Sequence, residues 1–318
     1  MEKEQLIELL EIAVLKRQPL WDLTNAMRLV NGFGDGMEGL VLEQYNRHFV
    51  AQIFEDKWHQ HCPTILEFVK NRLKAEYLVI KDRTASASSQ PEAIRSTVWL
   101  ENAASQTIVE ENNLKFSVDL NDTLNTGLFL DMRKNRDITS ALAHDRKVLN
   151  CFSYTCSFGV YCRAKGASSV VNVDISRKSL ERGRNNYELN GLPSAQNEFI
   201  RTDAVEYLER AVKKDNRFDM IILDPPSFAR HEGKAFSVKK DLAPLILSAM
   251  TILNPKGILF AATNYSLMTH EGLLDMIHEA AGERNINSSK RFGQDEDFTG
   301  SGLMQESCLT AVLAVMND

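Results

Sequence analysis

Several common functional signatures are missing from this 318-residue sequence. Its longest apolar runs, such as LTAVLAVM at 309–316, fall far short of the roughly 20 residues a membrane span needs. The opening MEKEQLIELLEIAVLKRQ is charged and reads as an amphipathic helix, so no signal peptide is expected. There is no internal repeat and no low-complexity tract. Five cysteines are present (Cys62, Cys151, Cys156, Cys162 and Cys308), none at the close spacing of a zinc site, so no metal is expected. Their odd number, without a leader, suggests reduced thiols and a cytoplasmic location. Excess positive charge is missing too: 37 Lys and Arg against 43 Asp and Glu leave a net −6. That balance speaks against a broad coating of nucleic acid but leaves room for a local basic site.

What is present is an ordinary globular composition, 43% hydrophobic and 25% charged, long enough for one large domain or two modest ones. Residues 1–105 read as a small α+β domain: helix 2–17, strands 39–45 and 48–54, helix 62–74 and strand 76–81. NGFGDGMEG, with four glycines, must be a turn, and RTASASSQPEAIRS (83–96) reads as a loop. Residues 106–318 form the second domain, opening with a hairpin (106–110 and 114–120) around ENN. From residue 147, KVLNCF, SVVNVD, EFIRTD, FDMIILD and GILFAATN read as strands. Helices at 157–165, 176–189, 204–214 and 239–253 separate them, and segments near 288–293 and 306–316 supply the last strands. This alternation implies an α/β fold with a doubly wound, mostly parallel sheet.

Ligands bind beyond the carboxyl ends of such strands. The first strand is followed by SYTCSFG. The next three end in Asp174, Asp203 and Asp224-Pro-Pro, and the fifth in Thr263-Asn264. One strand-end Asp is commonly a helix cap; three in succession describe a site for a ligand with several hydroxyl or amino donors. A dinucleotide site wants G-x-G-x-x-G, so that pyrophosphate rests on backbone amides. Here only Gly159 is available, which makes a dinucleotide oxidoreductase the weaker reading. A nucleoside without phosphates makes no such demand, and S-adenosylmethionine is of that kind.

NCFSYTCSFG, VVNVDIS, RTDA and DPPSF resemble the successive motifs of class I methyltransferases, whose sheet is seven-stranded and Rossmann-like. TGLFLDMRKNR (126–136) followed by VLNCFSYT resembles, more narrowly, the bacterial methyltransferases of large-subunit ribosomal RNA. MRLVNGFGDGMEGLVLEQYNRHFVAQIF (27–54) resembles the small domain preceding their catalytic domain. The resemblance implies S-adenosyl-L-methionine as cofactor and ribosomal RNA, free or in a partly assembled large subunit, as partner. It puts the methionine end of the cofactor near Ser153, Tyr154 and Thr155, with Phe152 alongside. It puts the ribose at Asp174-Ile175 and the adenine at Asp203-Ala204. Phe129 and Arg133 would close over the cofactor, while Asp224, Pro225 and Pro226 border the transferring methyl group.

Three departures shape the chemistry expected. Many relatives begin with a PUA-type RNA-binding domain, whereas this chain opens with the helix of the second domain. Cys156 stands where the family loop usually has glycine, and is expected to narrow the cofactor space. Methylation of cytosine carbon 5 needs a cysteine nucleophile, and ATNYSLMT has Asn264 at the expected place. The reading is therefore direct transfer to a base nitrogen, with Asp224 and Asn264 facing the base and Phe228 stacking on it. A 5-methylcytosine enzyme, or an assembly factor that binds the cofactor without turnover, are the alternatives. Basic residues gather at Arg133, Lys134 and Arg136, at Arg177, Lys178, Arg182 and Arg184, and at Arg230, His231, Lys234, Lys239 and Lys240. The third group lies on the active edge and is the candidate for RNA phosphate contacts.

Overall fold

The computed structural model describes residues 1–87, 95–122, 125–231, 234–300 and 309–317, without the side chains of 229–231, 234 and 235. The chain divides into two compact units, Met1–Arg133 with Asp295–Met304, and Lys134–Gln294 with Gln305–Asp318. This division falls later than residue 105. The hairpin expected at the head of the second domain belongs to the first unit.

The first unit is a five-stranded sheet in the order β1-β2-β3-β4-β5, where β1 is Ala26–Asn31, β2 Leu40–Tyr45, β3 His48–Ile53, β4 Tyr77–Asp82 and β5 Ser96–Glu101. Helices α1 (Lys3–Arg17) and α2 (Cys62–Arg72) bury Leu6, Leu10, Ile65 and Val69 against Leu29, Leu42 and Phe49. The hairpin β6 (Gln106–Glu111) and β7 (Leu114–Asp119) turns on Asn112 and Asn113, both left-handed. Neither β1 nor β5 stands out in the sequence. The glycine-rich turn is a 3-10 turn (Gly32–Asp35), and the buried Arg17 locks it with two bonds of 2.7 Å to Asp35.

The second unit begins with helix α3 (Arg133–Ser140), whose first residue still counts with the first unit, and β8 (Lys147–Cys151). It continues through α4 (Ser157–Ala164), β9 (Ser169–Asp174), α5 (Arg177–Leu189), β10 (Phe199–Arg201), α6 (Ala204–Lys213) and β11 (Phe218–Leu223). A short antiparallel hairpin, β12 (Phe228–His231) and β13 (Lys234–Ser237), leads into α7 (Val238–Thr251) and β14 (Leu253–Thr263). Helix α8 (His270–Ala281), β15 (Ile286–Phe292) and β16 (Thr310–Met316) complete it. The sheet runs β10-β9-β8-β11-β14-β16-β15, parallel from β10 through β14 and antiparallel beyond. Both expected last strands are there, though residues 306–308 lie outside the described ones. Leu208, Leu245, Ile246, Leu273 and Ile277 pack on Leu149, Ile221 and Leu259 to form the core. No helix among the described residues is long and apolar enough to cross a membrane.

Strand order reverses between β8 and β11, the point where open α/β sheets form their ligand crevice. Register fixes what meets there. Cys151 pairs with Val173 and Leu223, and Leu223 with Ala261. One residue further in sequence, Asp174 ends β9, Phe152 and Asp224 lie just past the ends of β8 and β11, and Ala262 continues β14.

Candidate active site

The loop after β8 is unusual. Phe152, Tyr154 and Cys156 all take positive φ (56°, 47° and 60°), a conformation that costs a non-glycine residue about 1–2 kcal/mol. Alternating handedness folds the loop tightly over β9. Ser153 N donates to the Val173 carbonyl (3.0 Å) and Tyr154 N to Asp174 Oδ2 (2.8 Å). Ser176 N donates to Asp174 Oδ1 (2.8 Å). Both carboxylate oxygens are thus held by backbone amides while the carboxylate keeps acceptor capacity, the pattern that suits two adjacent hydroxyls. Burial pushes the Asp174 carboxyl above the usual range, against the pull of the Ser176, Tyr154 and Ile175 amides.

Asp203 caps α6, its Oδ1 accepting from Val205 N (2.9 Å) and Glu206 N (3.2 Å). Both bonds use one oxygen, so the cap and a ligand role are compatible. Asp224 is half-buried beside the buried Pro225 and exposed Pro226, and Asn264 is exposed at the end of β14. Two prolines remove two backbone donors, so the chain leaves the sheet at this corner. It returns as the β12–β13 hairpin, whose Phe236 packs on Phe152 with ring centres 5.6 Å apart. Phe228, 56% exposed, sits on the hairpin's first rung. Lys239 and Lys240 are exposed at the head of α7, whereas the side chains of Arg230, His231 and Lys234 lie outside the described ones.

Cys156 does not narrow the loop. Its side chain is fully buried and faces α5, where a Cβ on Gly183 would stand 2.4 Å from Sγ. Gly159, the lone glycine of the loop region, serves packing: a Cβ there would lie 2.2 Å from Asn172 Oδ1 and 2.7 Å from Tyr187 Oη. It lets α4 approach a buried chain in which Asn150 donates to Asn172 (3.0 Å) and Asn172 to Tyr187 (3.2 Å). Neither glycine serves a phosphate.

Arg133 is placed differently from the expectation that it closes over a ligand. Its guanidinium is 2% exposed and donates to Asp295 (2.7 Å), Asp297 (2.6 Å) and the Ala26 carbonyl (3.1 Å), all within the first unit. Arg136 is fully buried over the Tyr161 ring, so the first basic group is not a surface. In the second group, Arg177 pairs with Glu181, and Arg184 stacks on Phe199. Phe129 is 39% exposed in the first unit. The buried carboxylates Asp295 and Asp297 escaped sequence reasoning. GQDEDFTG offers only a polar stretch as a signal.

The four described cysteines are buried. Burial pushes the Cys62 thiol up to about 11 and those of Cys156 and Cys162 up to about 12, and raises Cys151 further still. Cys308 lies outside the described residues. Among the described residues, no group of three or more His, Cys, Asp or Glu side chains is gathered as a metal site requires.

Residues 74–299 match the family model described as S-adenosylmethionine-dependent methyltransferase. Ribosomal RNA large subunit methyltransferase I of Tolumonas auensis is 34% identical over 259 residues, 81% of this chain and 65% of its own length. The protein of the same name from Aeromonas salmonicida is 32% identical over 273 residues, 84% of this chain and 67% of its own. The chain therefore spans about two thirds of these curated relatives. The crystal structure of SMU.776 complexed with SAH superposes with a TM-score of 0.86 at 27% identity, covering 99% of this chain and 82% of that one. A family match over residues 74–299, on a sheet whose switch point carries the expected acids, makes this chain a member of the S-adenosylmethionine-dependent methyltransferases.

Proposed function

We propose that this chain transfers a methyl group from S-adenosylmethionine to a base nitrogen of large-subunit ribosomal RNA in the cytoplasm. The choice of RNA is supported by the relatives named for that substrate. The choice of nitrogen is carried by one observation: each described cysteine is buried with its thiol pKa raised, so none offers a thiolate to attack a pyrimidine ring.

The residues fit the cofactor, because Asp174 retains acceptor sites for a ribose diol and the loop makes no phosphate cradle. When bound, S-adenosylmethionine supplies an electrophilic methyl group on a sulfonium. Asp174, with Ile175 beside it, accepts the ribose hydroxyls, and the free oxygen of Asp203 with Ala204 receives the adenine edge. Phe152, Ser153, Tyr154 and Thr155 border the methionine end. Pro225 and Pro226 hold a stiff rim that keeps Asp224 at the reacting edge, and Phe228 stacks on the flipped base. Asn264 presents both a donor and an acceptor to that base. A ring nitrogen with a free lone pair then needs only positioning; an exocyclic amine loses its proton late, oriented by Asp224. Lys239 and Lys240, with Arg230 and Lys234, supply phosphate contacts.

The test is labelled methyl transfer to ribosomal RNA from cells lacking this gene, followed by digestion and mass spectrometry of the labelled nucleoside. Label on a guanine or adenine nitrogen is expected. Label on cytosine carbon 5 overturns the nitrogen reading. If naked RNA stays unlabelled, assembly intermediates are the next substrate, and inactivity on both favours a binding factor without turnover.

A further inference from the structure

A cavity of about 340 Å³ opens at the other edge of the seven-stranded sheet, lined chiefly by Arg217, Met250, Leu253, Pro255, Ala280 and Arg284. Arg217 precedes β11 and Leu253 begins β14, so this is the amino end of the strands. Six residues of strand, at about 3.3 Å each, put it roughly 20 Å from Asp224. It belongs to none of the machinery above.

Its walls combine apolar side chains with Thr251, whose hydroxyl donates to the Leu247 carbonyl (2.9 Å), and its two charged groups are both cations. Arg284 donates from Nη1 to the Met250 carbonyl (2.7 Å) and from Nη2 to the Asn254 carbonyl (3.0 Å), which fixes its guanidinium at the end of α7. Arg217 donates from Nε to Asp215 (2.7 Å), and its Nη groups have no hydrogen-bond partner among the described residues. Burial, and then repulsion from Arg217, holds Arg284 below the ordinary arginine pKa. No carboxylate among the described residues pairs with Arg284, and Asp215 occupies only the Nε side of Arg217. Two like charges facing one hollow with no carboxylate between them favour an anion that bridges them. Lys213, Lys214 and Lys256 are exposed around this edge, with Glu283 as an acidic neighbour. The volume lies within the range of small-ligand sites, about 300–1,000 Å³.

We propose that this cavity anchors one nucleotide of the RNA substrate away from the reacting base. Its phosphate bridges Arg217 and Arg284, and its base lies on Met250, Leu253 and Pro255. The assignment rests on the RNA reading above. It gives the enzyme a second hold on the strand, on a sheet edge that takes no part in the chemistry.

The experiment measures binding of a fluorescein-labelled single-stranded RNA 12-mer to the full chain, to Arg217→Ala and to Arg284→Gln, across a salt series. Thermal melts of each variant verify folding. Both variants are expected to bind several-fold more weakly, with a log–log salt slope shallower by about 0.7 per lost phosphate contact. In a second arm, uridine 5′-monophosphate is titrated while the arginine Nε resonances are followed by NMR. The Arg217 and Arg284 signals should move in the wild-type chain, and the Arg284 signal should stay still in Arg217→Ala. Unchanged affinity and slope in both folded variants overturn the proposal even if the chain methylates RNA. Movement of these signals without RNA methylation supports the nucleotide site and removes the methyl-transfer reading instead. An acidic peptide that moves them where the mononucleotide does not would assign the cavity to a protein partner and overturn the proposal.

Discussion

Cys156 and Gly183 form a lock that a double-mutant cycle can open. A methyl group on Gly183 would sit 2.4 Å from Cys156 Sγ and 3.0 Å from its Cβ, and the next atom, the Thr155 carbonyl carbon, is 3.4 Å away. Relief needs a shift of an ångström or more in a fully buried side chain whose backbone is held left-handed. Overpacking of this kind costs at the upper end of about 1–3 kcal/mol. Replacing glycine by alanine inside a helix returns about 1 kcal/mol. Gly183→Ala alone should therefore lose about 2 kcal/mol net. Cys156→Gly removes about 1–2 kcal/mol of left-handed strain but leaves a small hole, so it should be close to neutral. In the double variant the clash is gone, the new methyl fills the hole and the helix gain remains, giving wild-type stability or better. The coupling energy should be about 2–3 kcal/mol, read from urea unfolding of the four proteins. Additive effects, or a Gly183→Ala within about 0.5 kcal/mol of wild type, would refute the packing argument.

Other perturbations test other parts of the structure. Gly159→Ala drives a methyl into Asn172 and Tyr187 and should lose about 2–4 kcal/mol by urea melt, whereas Gly191→Ala, with open space around it, should lose only about 1 kcal/mol. Arg17→Ala leaves the buried Asp35 carboxylate with only the longer contact from the exposed Lys16 (3.3 Å) as counter-charge and should cost about 3 kcal/mol; a milder loss would mean that Lys16 or water takes over. Because the Asp174 carboxyl is raised, it turns neutral at a higher pH than an ordinary aspartate as acid is added, and under the proposed cofactor role it would then stop accepting from both ribose hydroxyls. Affinity for S-adenosylhomocysteine, by calorimetry, should fall as pH drops through that raised value and be flat in Asp174→Asn. The stability contribution has the opposite sign: the raised acid favours the folded state below its unfolded pKa, and that contribution is lost as pH rises through the folded value. Asp224→Ala should lower methyl transfer about 100-fold at saturating cofactor; normal turnover would remove Asp224 from the reaction.

Local pattern reveals what local physics decides. The alternating segments from Lys147 to Thr263, and the acid ending each of three strands, are legible because burial on both faces selects β-branched and apolar runs. Helix α8 carries a readable signal, with Thr269 as N-cap and Leu273, Ile277 and Ala281 on one face. Strand β1 is buried along almost its whole length yet carries Met27, Arg28 and Asn31, and charge hides it as a strand. The hairpin after Pro226 reads as a loop because its residues are mixed. RKNR looks like a solvated helix face, but Arg133 is neutralised by carboxylates more than 160 residues away. No window of sequence contains both halves of such a pair. Cys156 misleads for a related reason: where its thiol goes depends on Gly183, on a different helix.

The bonds of Arg17 and Arg133 also set an order of events. Arg17 donates to the Asp297 carbonyl, Arg28 N to Asp297 Oδ2, Asn31 to the Thr299 carbonyl and Arg133 to Asp295 and Asp297. The first unit is therefore finished by residues 295–299, which the ribosome makes only after β8 to β15 of the other unit. Residues 1–133 hold the helices, the sheet and the Arg17–Asp35 pair, but Arg133 lacks its buried carboxylates Asp295 and Asp297 until residue 297 emerges. The amino-terminal half must wait, incomplete, while the catalytic sheet is synthesised, which reverses the usual expectation that the first-made part folds first.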